Sequence, residues 1–234
     1  MEKWIQAVET LCADPSQENE FNDWYNNTHL PEALSCPGFL AARRYVIKEP
    51  HFGRGKYLAI YEIETDDIDK TMTTRVRHLE QEEKRGRSAS VAIPNLLVLV
   101  WQDVLFKQIH ELTKNGPFKM GNWIDTVELL PTDPSQEKKL NDVYNNIHLA
   151  DALKTPGFLG ARRYVAERPC QGRGKYLTMY QIETDDIDKT VAIAHEGIEY
   201  ERTVGRALNQ MVPNSYIVIW RDIIFQKIYE MSHK

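Results

Sequence analysis

Residues 21–39 read FNDWYNNTHLPEALSCPGF, and residues 140–158 read LNDVYNNIHLADALKTPGF. The second stretch repeats the first at an offset of 119, with Asn-Asp-x-Tyr-Asn-Asn-x-His and Pro-Gly-Phe kept in order. The same offset aligns the two halves of the chain without a gap from Trp4/Trp123 to Ile109/Ile228. Between residues 14 and 71, 40 of 58 positions match their partners, against 10 of 39 between 72 and 110, so the shared constraint acts mainly on the first part of each repeat. A fixed internal period marks a repeated structural unit.

Each repeat reads strand–helix–strand–strand–helix–strand. Residues 3–12 alternate with the two-residue period of a half-buried strand. Residues 16–34 begin at Pro-Ser-Gln and carry helical spacing through Phe21, Trp24, Tyr25 and Thr28. Pro37 and Gly38 then disfavour continuation of the helix. FLAARRYVIKE and KYLAIYEIE are strands joined by PHFGRG, and TDDIDKT opens a second helix with Thr65 or Asp66 as its N-cap. NLLVLVWQDVLF is the closing strand, with Trp101 and Trp220 expected in the core. The order predicts an α+β fold of two ferredoxin-like β-α-β-β-α-β units, residues 1–112 and 120–234, joined by a linker at 113–119. Helices on one sheet face leave the other bare, and a second copy is its natural cover, as an intramolecular pseudo-dimeric α+β barrel.

The composition, 42% hydrophobic and 27% charged over 234 residues, is that of a globular protein. A net charge of −5 provides no field for nucleic acid, and no nucleic-acid partner is expected. No apolar run reaches membrane-spanning length, and MEKWIQAVETL lacks a signal-peptide layout, so the expectation is a cytoplasmic protein without a membrane partner. Cys12, Cys36 and Cys170 stand opposite Pro131, Thr155 and His51 in the other repeat, which argues for free thiols rather than a disulfide framework.

The helix NDWYNNTHLPEAL followed by PGFLAARRY resembles the dimeric α+β barrel superfamily, especially its EthD-like branch, here as a tandem repeat covering almost the whole chain. That resemblance implies architecture more than reaction. Its members include cofactor-free monooxygenases, muconolactone isomerase-like enzymes, polyketide cyclases, lyases and haem enzymes. The second copy departs from the pattern at Ala150 and Val143, which replace Pro31 and Trp24.

Residues three and four apart share a helix face, so Asn22, Tyr25, Asn26 and His29 form one stripe, and Asn141, Tyr144, Asn145 and His148 a second. An imidazole titrates near neutrality, so His29 and His148 are the candidate acid/bases, with Tyr25 and Tyr144 beside them. Capping of the helix end is the competing role for His29. The asparagines and Trp24 are candidate substrate contacts. Arg43 and Arg44 are neighbours on a strand and face opposite ways; Arg43, with its counterpart Arg162, is the candidate clamp for a carboxylate or enolate. A salt bridge of that arginine to Glu9 or Asp103 is the structural alternative. Glu9 and Glu128 are candidate buried carboxylates, and Asp103 and Asp222 share that ambiguity. GRGKY lacks the Ser/Thr and the following helix of a phosphate loop and reads as a hairpin. No metal-ligand spacing and no dinucleotide fingerprint occurs, so neither a metal nor a cofactor is expected.

The expected function is a cofactor-independent enzyme using histidine acid/base chemistry on a small hydrophobic or aromatic carbonyl metabolite, of lyase, isomerase or cyclase type. The alternatives are a non-catalytic small-ligand-binding or accessory protein and a cofactor-free monooxygenase. The expected assembly is a monomeric pseudo-dimer or a homodimer.

Overall fold

The structure is a computed structural model, and it describes residues 1–50, 54–168, 173–212 and 217–233, apart from the side chain of Trp220. His51, Cys170, Gly53 and Gly172 of the sequence reading lie outside the described residues. The chain is mixed α+β. The first repeat runs β1 (Glu2–Cys12), α1 (Glu18–Trp24), α2 (Leu30–Leu34), β2 (Phe39–Ile47), β3 (Tyr57–Thr65), α3 (Ile68–Lys84), α4 (Ala89–Ala92) and β4 (Val98–Thr113). The second runs β5 (Trp123–Pro131), α5 (Glu137–Val143), α6 (Leu149–Ala152), β6 (Phe158–Ala166), β7 (Tyr176–Ile182), α7 (Ile187–Thr203), α8 (Leu208–Met211) and β8 (Ile217–Ser232). No helix among the described residues is long and apolar enough to cross a membrane.

Two compact units emerge: unit 1 is Met1–Lys107 with Lys227–Lys234, and unit 2 is Gln108–Gln226. They differ from the sequence repeats because β4 and β8 run on past the expected strand ends, to Thr113 and Ser232. In unit 1, β1 pairs antiparallel with both β3 and β4, and β3 pairs antiparallel with β2. Unit 2 repeats this with β5 between β7 and β8 and with β6 beside β7.

The helix expected over 16–34 is present but interrupted. Asp14 accepts the Ser16 N–H and caps a short 3-10 turn, Pro15–Gln17, ahead of α1. Between α1 and α2 lies a π-helical turn, Tyr25–His29, in which the Leu30 N–H reaches back five residues to the Tyr25 carbonyl. The same turn recurs at Tyr144–His148, where Leu149 donates to Tyr144. Gly38 (φ +92°) and Gly157 (φ +89°) follow the helix in the left-handed region, so glycine is required at both exits. The second helix is capped by Asp67, which accepts the Lys70 N–H at 2.9 Å, rather than by Thr65 or Asp66.

On the helix-facing side of unit 1, Phe21, Tyr25, Leu30 and Leu34 pack against Trp4, Phe39, Tyr57, Tyr61 and Ile63. Unit 2 repeats the cluster with Leu140, Tyr144, Leu149, Phe158, Tyr176, Tyr180 and Ile182. Trp101 does not belong to a core: it is 48% exposed, beside exposed Leu99 and Val100 on β4.

Candidate functional site

The pairing of Arg43 and Arg44 with opposite sheet faces decides what stands beside the Tyr/His stripe. Arg44, fully buried, points at the helix and donates from Nη1 to Asn26 Oδ1 (2.9 Å) and from Nη2 to Asn22 Oδ1 (2.7 Å). Its guanidinium lies 4.2 Å from the Tyr25 ring centre and 4.9 Å from that of Tyr57. Asn22 also donates to the Tyr57 hydroxyl at 2.9 Å. Unit 2 reproduces the grip: Arg163 reaches Asn145 at 2.6 Å and Asn141 at 2.9 Å, over the Tyr144 ring at 4.2 Å. The two asparagines of each stripe therefore hold an arginine, and the spacing of the stripe is explained by that grip.

Arg43 is not part of this group. On the opposite face of β2 it pairs with Glu62 (3.2 Å) and Glu230 (2.8 Å), in place of the expected Glu9 or Asp103. Arg162 pairs with Glu111 at 2.7 Å. Glu9, also on the face away from the helix, accepts the Gly55 N–H at 2.9 Å with Arg54 at 3.5 Å. Glu128 meets Arg173 (2.8 Å) and Arg221 (3.2 Å). This is the role of GRGKY: a Cβ on Gly55 would stand 2.7 Å from Glu9 Cγ and from the Thr10 N, so only glycine lets the hairpin close over the carboxylate.

His29 sits between Trp24, whose ring stacks on it at 5.1 Å, and Tyr25, whose ring meets it edge-on at 4.8 Å. Arg75 of α3 brings Nη2 to 3.4 Å from His29 Nε2. His29 is half-buried as a residue, and burial of its imidazole first, then Arg75 and Arg44, push it down from 6.5 to about 3. It is neutral at neutral pH. Behind it the Tyr25 and Tyr61 hydroxyls stand 3.0 Å apart, both pushed up by burial and so protonated. His148 lies against Tyr144 at 4.5 Å, and burial and Arg163, opposed by Asp151, bring it down to about 4.

The sequence reading missed Arg44, Arg163, Tyr61, Tyr180 and Arg75. The first four occupy matched repeat positions; the strand registers, with the irregularity after Phe39, bring Arg44 and Tyr61 to the face of Phe39 and Trp4. Arg75 carried no such signal, because its counterpart is Ala194. A further difference sits on the first strands. Gln6 donates to Asp103 at 2.7 Å in unit 1. Its counterpart Asp125 meets Asp222, and burial followed by that second carboxylate pushes Asp125 far above the usual range.

A metal or haem iron is ill suited to either histidine, since a second cation would lie beside Arg75 and Arg44 or beside Arg163. Among the described residues no group of three His, Cys, Asp or Glu side chains is arranged to hold a metal ion.

No family model matches the sequence, and no curated protein matches it. Solved structures do. An anthrone oxidase-like protein superposes with a TM-score of 0.60 at 13% identity, covering 99% of this chain and 93% of its own. A candidate monooxygenase from Lactobacillus acidophilus NCFM gives 0.57 at 6% identity, covering 99% and 97%. A chlorite dismutase variant from Candidatus Nitrospira defluvii gives 0.57 at 8% identity, covering 97% and 92%. At these identities the likeness establishes architecture: the chain has the fold of the dimeric α+β barrel proteins.

Proposed function

We propose that the chain is a cofactor-independent enzyme that removes a proton from a small aromatic hydroxy or carbonyl compound at His29, and that the resulting anion reacts with dioxygen. The observation that carries this reading is a neutral imidazole on a half-buried residue, set between aromatic rings with a guanidinium 3.4 Å from its Nε2. A substrate hydroxyl lying alongside this contact, within reach of both nitrogens, donates its proton to Nε2 and leaves its oxygen facing Arg75. Arg75 and Arg44, which add to burial in holding the imidazole neutral, then stabilise the anion that forms beside them. Dioxygen oxidises the anion, one oxygen atom being retained on carbon and the other leaving as water. The names of the anthrone oxidase-like and candidate monooxygenase neighbours support this fate.

A second fate has its own support. The Tyr25–Tyr61 hydroxyl pair can return a proton elsewhere on the anion, which is isomerisation, cyclisation or lyase action without oxygen. The test is an oxygen electrode with anthrone and small phenols, using the full chain and its His29→Gln variant. Oxygen uptake falling about 10²–10⁴-fold in the variant is the expected result. Substrate conversion without oxygen uptake selects the second fate, and conversion by the variant at the original rate removes His29 as the base.

As to organisation, we propose that the repeats 1–112 and 120–234, with 113–119 as linker, are ferredoxin-like, EthD-like halves of one pseudo-dimeric barrel. The repeat offset and structural matches spanning nearly the whole chain support it. Cys12 and Cys36, both buried free thiols, suit a reducing cytoplasmic setting.

A further inference from the structure

Unit 1 holds two guanidinium groups inside the protein, 0% (Arg44) and 4% (Arg75) exposed, and neither pairs with a carboxylate among the described residues. The fork of Arg44 is taken up by two neutral amide oxygens, and its Nε has no partner. Arg75 offers Nη2 to His29 over a long 3.4 Å and has the buried, neutral Cys36 thiol as a further hydrogen-bond neighbour, while its Nη1 is without a close partner. Trp4 Nε1, in the same apolar cluster, is a third buried group without a partner. All three orphaned atoms are N–H donors. Asp103, whose field reaches Tyr25, is itself exposed and engaged by Gln6.

A buried cation is kept in a fold when it is neutralised, and buried donors are normally satisfied. What these groups lack is negative charge carried by hydrogen-bond acceptors. The walls beside them are flat and aromatic: Trp24 stacks on His29, and Phe39 lies 6.0 Å from the Arg75 guanidinium. Unit 2 is different at the same places. Val143 and Ala194 replace Trp24 and Arg75, and the Asp125–Asp222 carboxyl pair takes the place of Gln6–Asp103.

We infer that unit 1 is built to bind a planar aromatic or conjugated oxyanion, a phenolate or enolate, against Arg75 and His29, and that unit 2 is not, so that each chain takes one such anion. The inference deepens the proposed function, on which it rests only for the location of the site. It names the bound species as the anion and assigns its recognition to Arg75, a residue present in one repeat alone.

The test is a titration of the full chain with 4-nitrophenol, at a pH where the free dye is mostly protonated, reading the phenolate absorption band and the stoichiometry. The expected result is growth of the phenolate band on binding, at one dye per chain. Arg75→Gln weakens this binding about tenfold or more, the loss of one charge-assisted contact, while Arg75→Lys retains it. The unliganded Arg75→Gln protein melts no earlier than the parent, because it sheds an uncompensated charge. Dye bound as the neutral phenol, an Arg75→Gln spectrum equal to that of the parent, or early melting of unliganded Arg75→Gln would each overturn the inference. Turnover by His29→Gln tests the base separately from the dye titration. Undiminished turnover by that variant counts against His29 as base and leaves the anion site standing.

Discussion

The candidate site of unit 1 and its counterpart in unit 2 share a scaffold and differ in what the scaffold presents. The shared part is close in detail. Both buried arginines are held by two asparagine oxygens, both tyrosine hydroxyl pairs meet, at 3.0 Å and 3.3 Å, and both helices carry the π-helical turn. The differences include the two neighbours of His29, Trp24 against Val143 and Arg75 against Ala194, together with Cys36 against Thr155 and, on the first strands, Gln6 against Asp125. A repeat can thus preserve the frame that aims an imidazole while changing the charge that the imidazole meets. Unit 1 has two guanidiniums, Arg75 and Arg44, acting on His29, whereas His148 meets one, Arg163, with the Asp151 carboxylate opposing it.

The comparison predicts equal effects on the frame and unequal effects on its contents. Arg44→Ala and Arg163→Ala are expected to be the most damaging changes, and by similar amounts. Each strands two amide oxygens, at about 1–3 kcal/mol apiece, and opens space beneath aromatic rings. Urea unfolding measures both; a large loss from one variant and none from the other would show that the frames are not equivalent.

The next effect separates the two histidines. Both have folded values below their unfolded value of 6.5, His29 at about 3 and His148 at about 4. The unfolded chain binds protons that the native imidazoles refuse, so this stability is present above about pH 6.5 and is lost as pH falls, by about 1.4 kcal/mol per unit for each group. The loss continues to about pH 3 for His29 and ends near pH 4 for His148. His29→Gln should therefore flatten the acid limb of the stability profile more than His148→Gln does. Equal flattening would mean that Arg75 adds nothing to the field at His29.

The sequence made the frame legible and left the contents dark, for physical reasons. Strand and helix order followed from periodicity, and the matched Asn, Tyr and His positions identified the stripe. Strand parity also said that Arg43 and Arg44 part company, yet it could not say which of them meets the helix. That depended on the register of β2 on β3, including the irregularity between Phe39 and Ala41. Arg75 lies in the diverged part of the repeat, 46 residues from His29, and only the fold brings them together. The length of β4 was underestimated because residues 107–113 alternate weakly and are rich in polar side chains.

A smaller effect tests the acid pair. Asp125 has a folded value raised above its unfolded one, so its contribution is present below the carboxylate range and is lost as pH rises. Asp125→Asn should gain stability over the parent at neutral pH and gain little near about pH 4. The gain is moderated because Asp125 keeps some accessible surface, where solvent screens its neighbour. Gln6→Asp in unit 1 should import the same sensitivity to alkali, measured as a melting temperature that falls as pH rises. If it imports none, the pairing of the first and last strands differs between the units in a way that their registers do not suggest.

The smallest expected effect concerns the origin of the π-helical turn. Pro31 has no N–H and crowds the carbonyl four residues earlier, that of Asn27, so it is the obvious cause of an interrupted helix. Yet Ala150 stands at the same position in the second repeat and the turn is still there. What the two turns share is the arginine: Asn22 and Asn26 must both reach one guanidinium while Tyr25 stacks on it, and the widened turn meets those demands together. Pro31→Ala should then cost less than about 1 kcal/mol, the entropy proline removes from the unfolded chain. It should also leave the Leu30 N–H bonded to Tyr25 and slow to exchange with solvent. Loss of that protection in Pro31→Ala, with Leu149 still protected, would assign the turn to proline in one repeat and to the arginine grip in the other.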